Sequence, residues 1–243
     1  MCSVQKRGNV YLLTIVGDGE HRLNPNLIRA LKSALNQIKS DAETSSSATA
    51  LVMAAEGKFF SNGYDLDLVR SVNLTPAESE SRAAEMRCEF ASLMEDLIAF
   101  PMPTIAAVTG HASAAGFILA LAHDYVLMRN DRGYLYMSEV DIDLVLPPWF
   151  VVLVRNKVGS GLSRRDVFLK AEKLTAKAAV EKGLIDKAEE TAEATLEAAV
   201  RLGDELVKRK WKGHVYAANR MVVMSDVLHA LSRETARVAT SRL

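Results

Sequence analysis

No Asp, Glu, Lys or Arg occurs between Phe100 and Ala122. An uncharged stretch of that length belongs either in a bilayer or in the interior of a protein. Pro101, Pro103, Gly110, His111, Ser113 and Gly116 break it up. The expectation is therefore a buried strand, a tight turn and a buried helix of small residues, not a membrane span. Such a unit needs a core around it. The chain has 243 residues, enough for one large domain that buries most of its apolar surface without disulfide or metal support.

The flanking pattern supplies that core. Val10 to Val16 is rich in β-branched and large apolar residues and predicts a strand. Asn24 is placed to cap a helix with Pro25 in its first turn, and Leu27, Ile28, Leu31, Leu35 and Ile38 recur at helical spacing. Ser40 to Ala48 reads as a polar loop and Leu51 to Ala54 as a buried strand. Thr75 precedes a long charged helix whose apolar face carries Met86, Phe90, Leu93 and Leu97. Strands are expected at Thr104–Val108, Tyr125–Met128 and Tyr134–Met137, and a helix at Ala114–Ala122. From Pro147 onward the pattern is helical: 148–157, 163–170, 175–182, 191–210 and 214–239. Alternating strands and helices followed by helices predict an α/β core, residues 1–190, with a helical region, 191–243, in the same fold unit.

Thirty basic residues balance thirty acidic ones, which argues against nucleic acid or an anionic membrane as the main partner. Cys2, expected in a frayed terminus, and Cys88 are the two cysteines, so no structural disulfide is expected and a reducing compartment fits. No Cys/His cluster has metal-ligand spacing, and no Gly-rich phosphate loop is present. Met1 to Arg7 lacks the apolar segment of a secretory signal. Ser241-Arg242-Leu243 is a conservative variant of the Ser-Lys-Leu peroxisomal address.

Two segments carry chemistry. Phe59-Phe60-Ser61-Asn62-Gly63-Tyr64-Asp65-Leu66 follows one strand, and Gly110-His111-Ala112-Ser113-Ala114-Ala115-Gly116-Phe117 follows another. Small residues at a strand-to-helix turn leave backbone N–H groups free to bind an anion or a developing oxyanion. Taken alone, the first segment is better read as a plain turn with Asp65 capping the next helix, and the second as tight helix packing. His111 reads as a satisfied turn histidine, Asp65 as ordering its turn, and His123 and Asp124 as structural. Lys208-Arg209-Lys210-Trp211-Lys212 reads as a solvated helix end, or as a phosphate contact.

Together, an F-S-x-G-x-D-L turn and a following I-A-A-V-x-G-x-A-x-A-A-G turn resemble the crotonase (enoyl-CoA hydratase/isomerase) superfamily. The resemblance implies a spiral of ββα units with C-terminal helices that mediate trimers or hexamers. It also implies an oxyanion hole for an acyl-CoA thioester, built here from the N–H groups of Tyr64 and Ala115, with Ser61, Asn62, Gly63 and Asp65 around the substrate. Both donors depart from the family's usual small or glycine residues, and Tyr64 has the size to reshape the acyl channel.

Hydratases of this family use two glutamates. At the first of those positions this sequence has Ile118; near the second it has Glu139, with Asp141 and Asp143 close by. A single glutamate followed by Pro147-Pro148-Trp149-Phe150 resembles the Δ3,Δ2-enoyl-CoA isomerase branch, in particular its plant-type peroxisomal monofunctional members. That resemblance implies proton shuttling by Glu139 and an acyl pocket walled by Ile118, Trp149 and Phe150. It implies no cofactor, CoA being part of the substrate, and a peroxisomal import receptor as a partner. Asp143 stands where relatives commonly have Gly, either close to the site or facing solvent. The other readings are an enoyl-CoA hydratase or 3-hydroxyacyl-CoA dehydratase using one of these aspartates, and a catalytically silent acyl-CoA-binding protein.

Overall fold

The structure is a computed structural model and describes residues 1–44 and 47–240, with side chains to residue 236. The chain opens with strands β1 (Cys2–Arg7) and β2 (Val10–Ile15), then helix α1 (Pro25–Glu43). Strands β3 (Ala50–Ala55) and β4 (Phe59–Ser61) lead to α2 (Pro76–Ile98), and β5 (Thr104–Val108) and β6 (His111–Ser113) lead to α3 (Ala115–Leu121). After β7 (Tyr125–Arg129) and β8 (Leu135–Tyr136) come α4 (Pro148–Lys157), α5 (Gly161–Phe168) and α6 (Ala176–Glu181). Strand β9 (Lys187–Glu189), α7 (Ala192–Val207), α8 (Gly213–Val223) and α9 (Ser225–Thr240) complete it. Two strands then a helix is thus repeated along the chain, the ββα spiral expected from the resemblance.

The strands form two sheets. The larger has the order β1-β2-β3-β5-β7-β9 and the smaller the order β4-β6-β8. Among the strand pairs of the described residues, the β1–β2 hairpin is antiparallel and the others are parallel. The central strands read as continuous apolar runs because the large sheet is covered on both faces. Leu13, Ile15, Leu51, Met53, Ala106 and Val108 face the main core with α1, α2 and α3. Val10, Leu12, Val52, Ala54, Ile105 and Ala107 face Ala198 and Ala199 of α7. Gly203 keeps α7 close, since a methyl group there would sit 2.9 Å from Val10 Cγ2.

The helix starts follow local chemistry. The Asn24 side chain accepts the Leu27 N–H with Pro25 in the first turn, and Thr75 with Glu78 forms a reciprocal capping box. The C-terminal helices are tied down by one buried arginine. Arg220 of α8 pairs side-on with Asp124 through Nε and Nη2 (Nε–Oδ1 2.7 Å, Nη2–Oδ2 2.5 Å). It also donates to the carbonyls of Phe100 and Met102. Asp124 in turn accepts the Thr104 N–H. Helix α9 folds back onto α2 and α4.

Several sequence expectations need correction. Cys2 lies in β1, paired opposite Ile15, with its thiol directed at the Ala30 carbonyl, because the edge of the large sheet recruits the terminus. Helix α1 continues to Glu43, so the polar loop starts later than Ser40, and Ser45 and Ser46 lie outside the described residues. The single helix expected at 214–239 is two, broken at Met224, which turns α9 back so that Val227 and Leu231 reach the main core. The three-residue strands β4, β6 and β9 are too short for periodicity to reveal. Among the described residues, no helix is long and apolar enough to cross a membrane.

Candidate active site

The small sheet organises the site. Its strands run parallel, and each delivers one group just beyond its C-terminal end: Tyr64 after β4, Ala115 after β6, Glu139 after β8. The register is tight. Ser113 pairs with Tyr136, and the Ala114 N–H donates to the Tyr136 carbonyl at 2.9 Å.

Glycines bring the first two turns together. Gly116 packs directly on Ser61: an added methyl group would lie 2.7 Å from Ser61 Cβ and collide with the Ser61 carbonyl. Gly63 has φ +75°, and a methyl group on it would lie 3.4 Å from the Ala115 nitrogen. The first turn is also held from the far side. Leu23 donates to the Gly63 carbonyl and accepts the Asp65 N–H, so its backbone is spent on the residues either side of Tyr64. The Tyr64 N–H therefore faces away from Leu23. Neither it nor the Ala115 N–H has an acceptor among the described residues. Ala115 is the first residue of α3, where an N–H lacks an intrahelical partner. The preceding Ala114 has φ 50°, ψ −123°, a conformation costly for a residue with a Cβ. Two orphan donors on facing turns can bind one oxygen that carries negative charge.

Glu139 begins a short 3-10 turn, Glu139–Ile142, closed by Asp143 in the left-handed conformation (φ 57°, ψ 36°). Glu139 is 7% exposed, and its Oε2 is buried without a hydrogen-bond partner. Burial raises its pKa above the usual carboxylate range; the opposing influence of its own backbone N–H is smaller. A buried carboxylate with a free oxygen and a raised pKa is suited to take up and return a proton.

Asp141 and Asp143 are exposed, so Asp143 faces solvent and adds no buried carboxylate. Ile118 is fully buried in α3. Trp149 and Phe150 are buried as well, packed against each other at 4.4 Å between ring centroids. These three side chains, expected as an acyl-pocket wall, lie in the protein interior. Asn62 and Ser61 contact the 20–21 segment: Asn62 Nδ2 donates to Glu20, and the Ser61 hydroxyl donates to the His21 carbonyl. Asp65 accepts from Asn24 Nδ2 and does not cap the following 3-10 turn, so it orders the turn.

His111 packs at a tilt between Phe59 and Tyr134, with its pKa lowered by burial and by nearby Lys58. His123 is fully buried on the Leu119 carbonyl, and burial lowers its pKa to about 4. Lys208, Lys210 and Trp211 line a cleft with Ala48, Thr49, Pro101 and Pro103, residues that precede β3 and β5. Arg209 instead covers the Trp211 ring at 5.3 Å. Among the described residues, no group of three or more His, Cys, Asp or Glu could hold a metal ion. Ser241, Arg242 and Leu243 lie outside the described residues.

Sequence reasoning missed the surroundings of the Tyr64 side chain. Its ring meets Phe90 edge-on at 5.4 Å and stacks on Phe150 at 6.3 Å. The Arg87–Glu234 pair, Nε to Oε1 3.5 Å, joins α2 to α9 and is the charged pair that acts most on the phenol. The helical spacing of Phe90 marked it as core, but nothing in the sequence links it to residue 64.

Comparison with known proteins agrees with this architecture. The family model described as enoyl-CoA hydratase/isomerase matches residues 15–239. Enoyl-CoA delta isomerase 1, peroxisomal, of Arabidopsis thaliana is 53% identical over 228 residues, covering 94% of this chain and 91% of that protein. Enoyl-CoA delta isomerase 2, peroxisomal, of the same plant is 44% identical over the full length of both chains. The apo structure of an enoyl-CoA isomerase from Mycobacterium tuberculosis superposes with a TM-score of 0.85 at 21% identity, covering 98% of this chain and 97% of that one, a likeness of fold.

Proposed function

The chain belongs to the enoyl-CoA hydratase/isomerase family, and on that premise we infer that it is an enoyl-CoA delta isomerase, converting 3-enoyl-CoA to 2-trans-enoyl-CoA. The observation that carries the reading is Glu139: it is a buried carboxylate with an unpartnered oxygen, and the other family carboxylate position is Ile118.

The C2 protons of a 3-enoyl thioester are flanked by the thioester carbonyl and the alkene. Glu139 removes one of them. The electron pair spreads over a dienolate from the thioester oxygen to C4, and the N–H groups of Tyr64 and Ala115 stabilise the oxygen. One such donor is worth ~3 kcal/mol. The protonated Glu139 then returns its proton at C4, which leaves the double bond between C2 and C3 and regenerates the carboxylate. The scheme consumes no water and calls on no cofactor. Apolar surroundings favour this use of Glu139, because they raise its proton affinity and exclude the water that would hydrate the product.

Hydration would require a second acid or base beside the substrate. Ile118 cannot serve, and the exposure of Asp141 and Asp143 counts against them. Two further parts of the proposal rest on other observations. Exposed Val215, Met221, Val222 and Val223 on α8 support self-association, as a homotrimer or hexamer. The peroxisomal names of two relatives support a peroxisomal location, with Ser241-Arg242-Leu243 as the segment read by the import receptor.

The test is an ultraviolet assay with 3-cis-hexenoyl-CoA, with mass detection of the products. Conjugated product without a gain of water, lost in Glu139→Gln while the thioester still binds, supports the isomerase. A water adduct moves the chain to the hydratases. Binding without turnover in the wild type makes it an acyl-CoA-binding protein.

A further inference from the structure

The residue that offers the first oxyanion donor also carries an aromatic ring whose phenol lies near enough to Glu139 to feel its charge. The Tyr64 backbone is pinned on both flanks by Leu23, so its side chain leaves the turn in one direction. There the ring enters a block of four: Tyr64 against Phe90 and Phe150, and Trp149 against Phe90 (5.6 Å) and Phe150 (4.4 Å). Phe90, Trp149 and Phe150 are fully buried and cannot retreat without opening cavities.

The tip of the ring is closed as well. The Tyr64 hydroxyl is buried and has no hydrogen-bond partner. Helix α9 lies behind it, held to α2 by the pair of Glu234, itself buried, with Arg87. Beyond the rings, Trp149 and Glu234 line a cleft of about 690 Å³ between α4 and α9, together with Val152, Arg155, His229 and Arg233. Trp149 thus has the ring block on one side and, on the other, an open volume lined with charge.

We propose that Tyr64 is the chain-length determinant of this enzyme: its ring stops the acyl group a few carbons past C4 and restricts the substrate to short 3-enoyl thioesters. The proposal rests on the isomerase reading. An acyl carbon beyond C4 has to displace the ring or turn away from it, and the ring is held by Phe90 and Phe150, both backed by Trp149. A hydroxyl with no protein partner adds nothing to that grip, so the effect is one of volume and not of hydrogen bonding.

The experiment compares kcat/KM for 3-hexenoyl-CoA and 3-dodecenoyl-CoA in the wild type, Tyr64→Ala, Tyr64→Phe and Phe150→Ala. The wild type is expected to favour the six-carbon substrate at least tenfold. Tyr64→Ala should cut that ratio tenfold or more, and Tyr64→Phe should keep it. Phe150→Ala, which frees the ring without touching the donor residue, should shift the ratio in the same direction as Tyr64→Ala. It decides the matter if Tyr64→Ala fails to fold. A wild-type ratio near one, or an unchanged ratio in both alanine variants, overturns the proposal and leaves the isomerase reading standing. A ratio lost in Tyr64→Phe shows that the hydroxyl and not the volume selects the chain. No turnover of either substrate by the wild type removes the isomerase reading itself.

Discussion

Gly116 Cα rests against the backbone of Ser61, so close that a methyl group on it would overlap the Ser61 carbonyl oxygen. This one contact sets the separation of the two turns that carry the Tyr64 and Ala115 donors. Gly116→Ala is expected to push the turns apart. Loss of a single oxyanion donor costs 10²–10³ in kcat, and overpacking costs about 1–3 kcal/mol of stability. Steady-state kinetics and a urea titration check both; full activity in the variant would mean that the turns do not act as a pair.

Ala114 holds φ 50° at the entrance to α3. Glycine tolerates that conformation, and a strained non-glycine residue costs ~1–3 kcal/mol. Ala114→Gly should therefore stabilise the fold by about 1 kcal/mol after the greater entropy of the unfolded glycine is allowed for. The midpoint of denaturant unfolding reports this, and a fall in the midpoint would contradict the strain.

Glu139 gives a prediction with a definite sign. Its folded pKa is raised by burial, so the native state binds the proton more tightly than the unfolded chain. The favourable contribution is fully present below the unfolded glutamate pKa and is lost as pH rises through the raised value. Each unit of displacement corresponds to about 1.4 kcal/mol. Glu139→Gln has no charge to bury. It should be more stable than wild type at neutral pH, and the difference should vanish near pH 4. Thermal melts across that range test it. In the wild type, the acidic limb of kcat should lie above the pKa of a free glutamate, since the carboxylate is the active form.

The Arg220–Asp124 pair should control how the C-terminal helices dock. Burial pushes the Asp124 pKa up, but the Arg220 hydrogen bonds and charge outweigh burial and hold it below the ordinary value. Its contribution to stability is present above the unfolded aspartate pKa and is lost as pH falls through the depressed value. Arg220→Ala leaves the largely buried Asp124 carboxylate without its countercharge and the carbonyls of Phe100 and Met102 without their donor. Such truncations cost about 3–5 kcal/mol. Hydrogen exchange should show α8 and α9 losing protection ahead of the large sheet; uniform loss would show that they are not separately anchored.

Much of this was legible in the sequence where one residue type answers one physical need. Asn24, Pro25 and Thr75 mark helix starts because caps are local chemistry. The uncharged run around Thr104–Val108 marks the sheet centre because both its faces are covered. Glu139 was legible only through the family pattern, since an isolated acidic residue carries no signal of burial. Tertiary geometry stayed hidden. The grip of Leu23 on the turn at Tyr64 joins segments far apart in the chain, and strands β4 and β6 draw their stability from neighbours instead of from their own three residues. The break at Met224 escaped notice because both flanking segments have good helical periodicity, and only the packing of α9 on α2 and α4 decides where the chain bends.

The parallel three-stranded sheet has an evolutionary corollary. On the proposed reading, polarisation of the carbonyl comes from the main chain after β4 and β6, and proton transfer from a side chain after β8. Main-chain donors survive almost any mutation that spares the glycines, whereas side chains change with one codon. On that reading, a change at a single acidic position alters the reaction while the main-chain donors are kept.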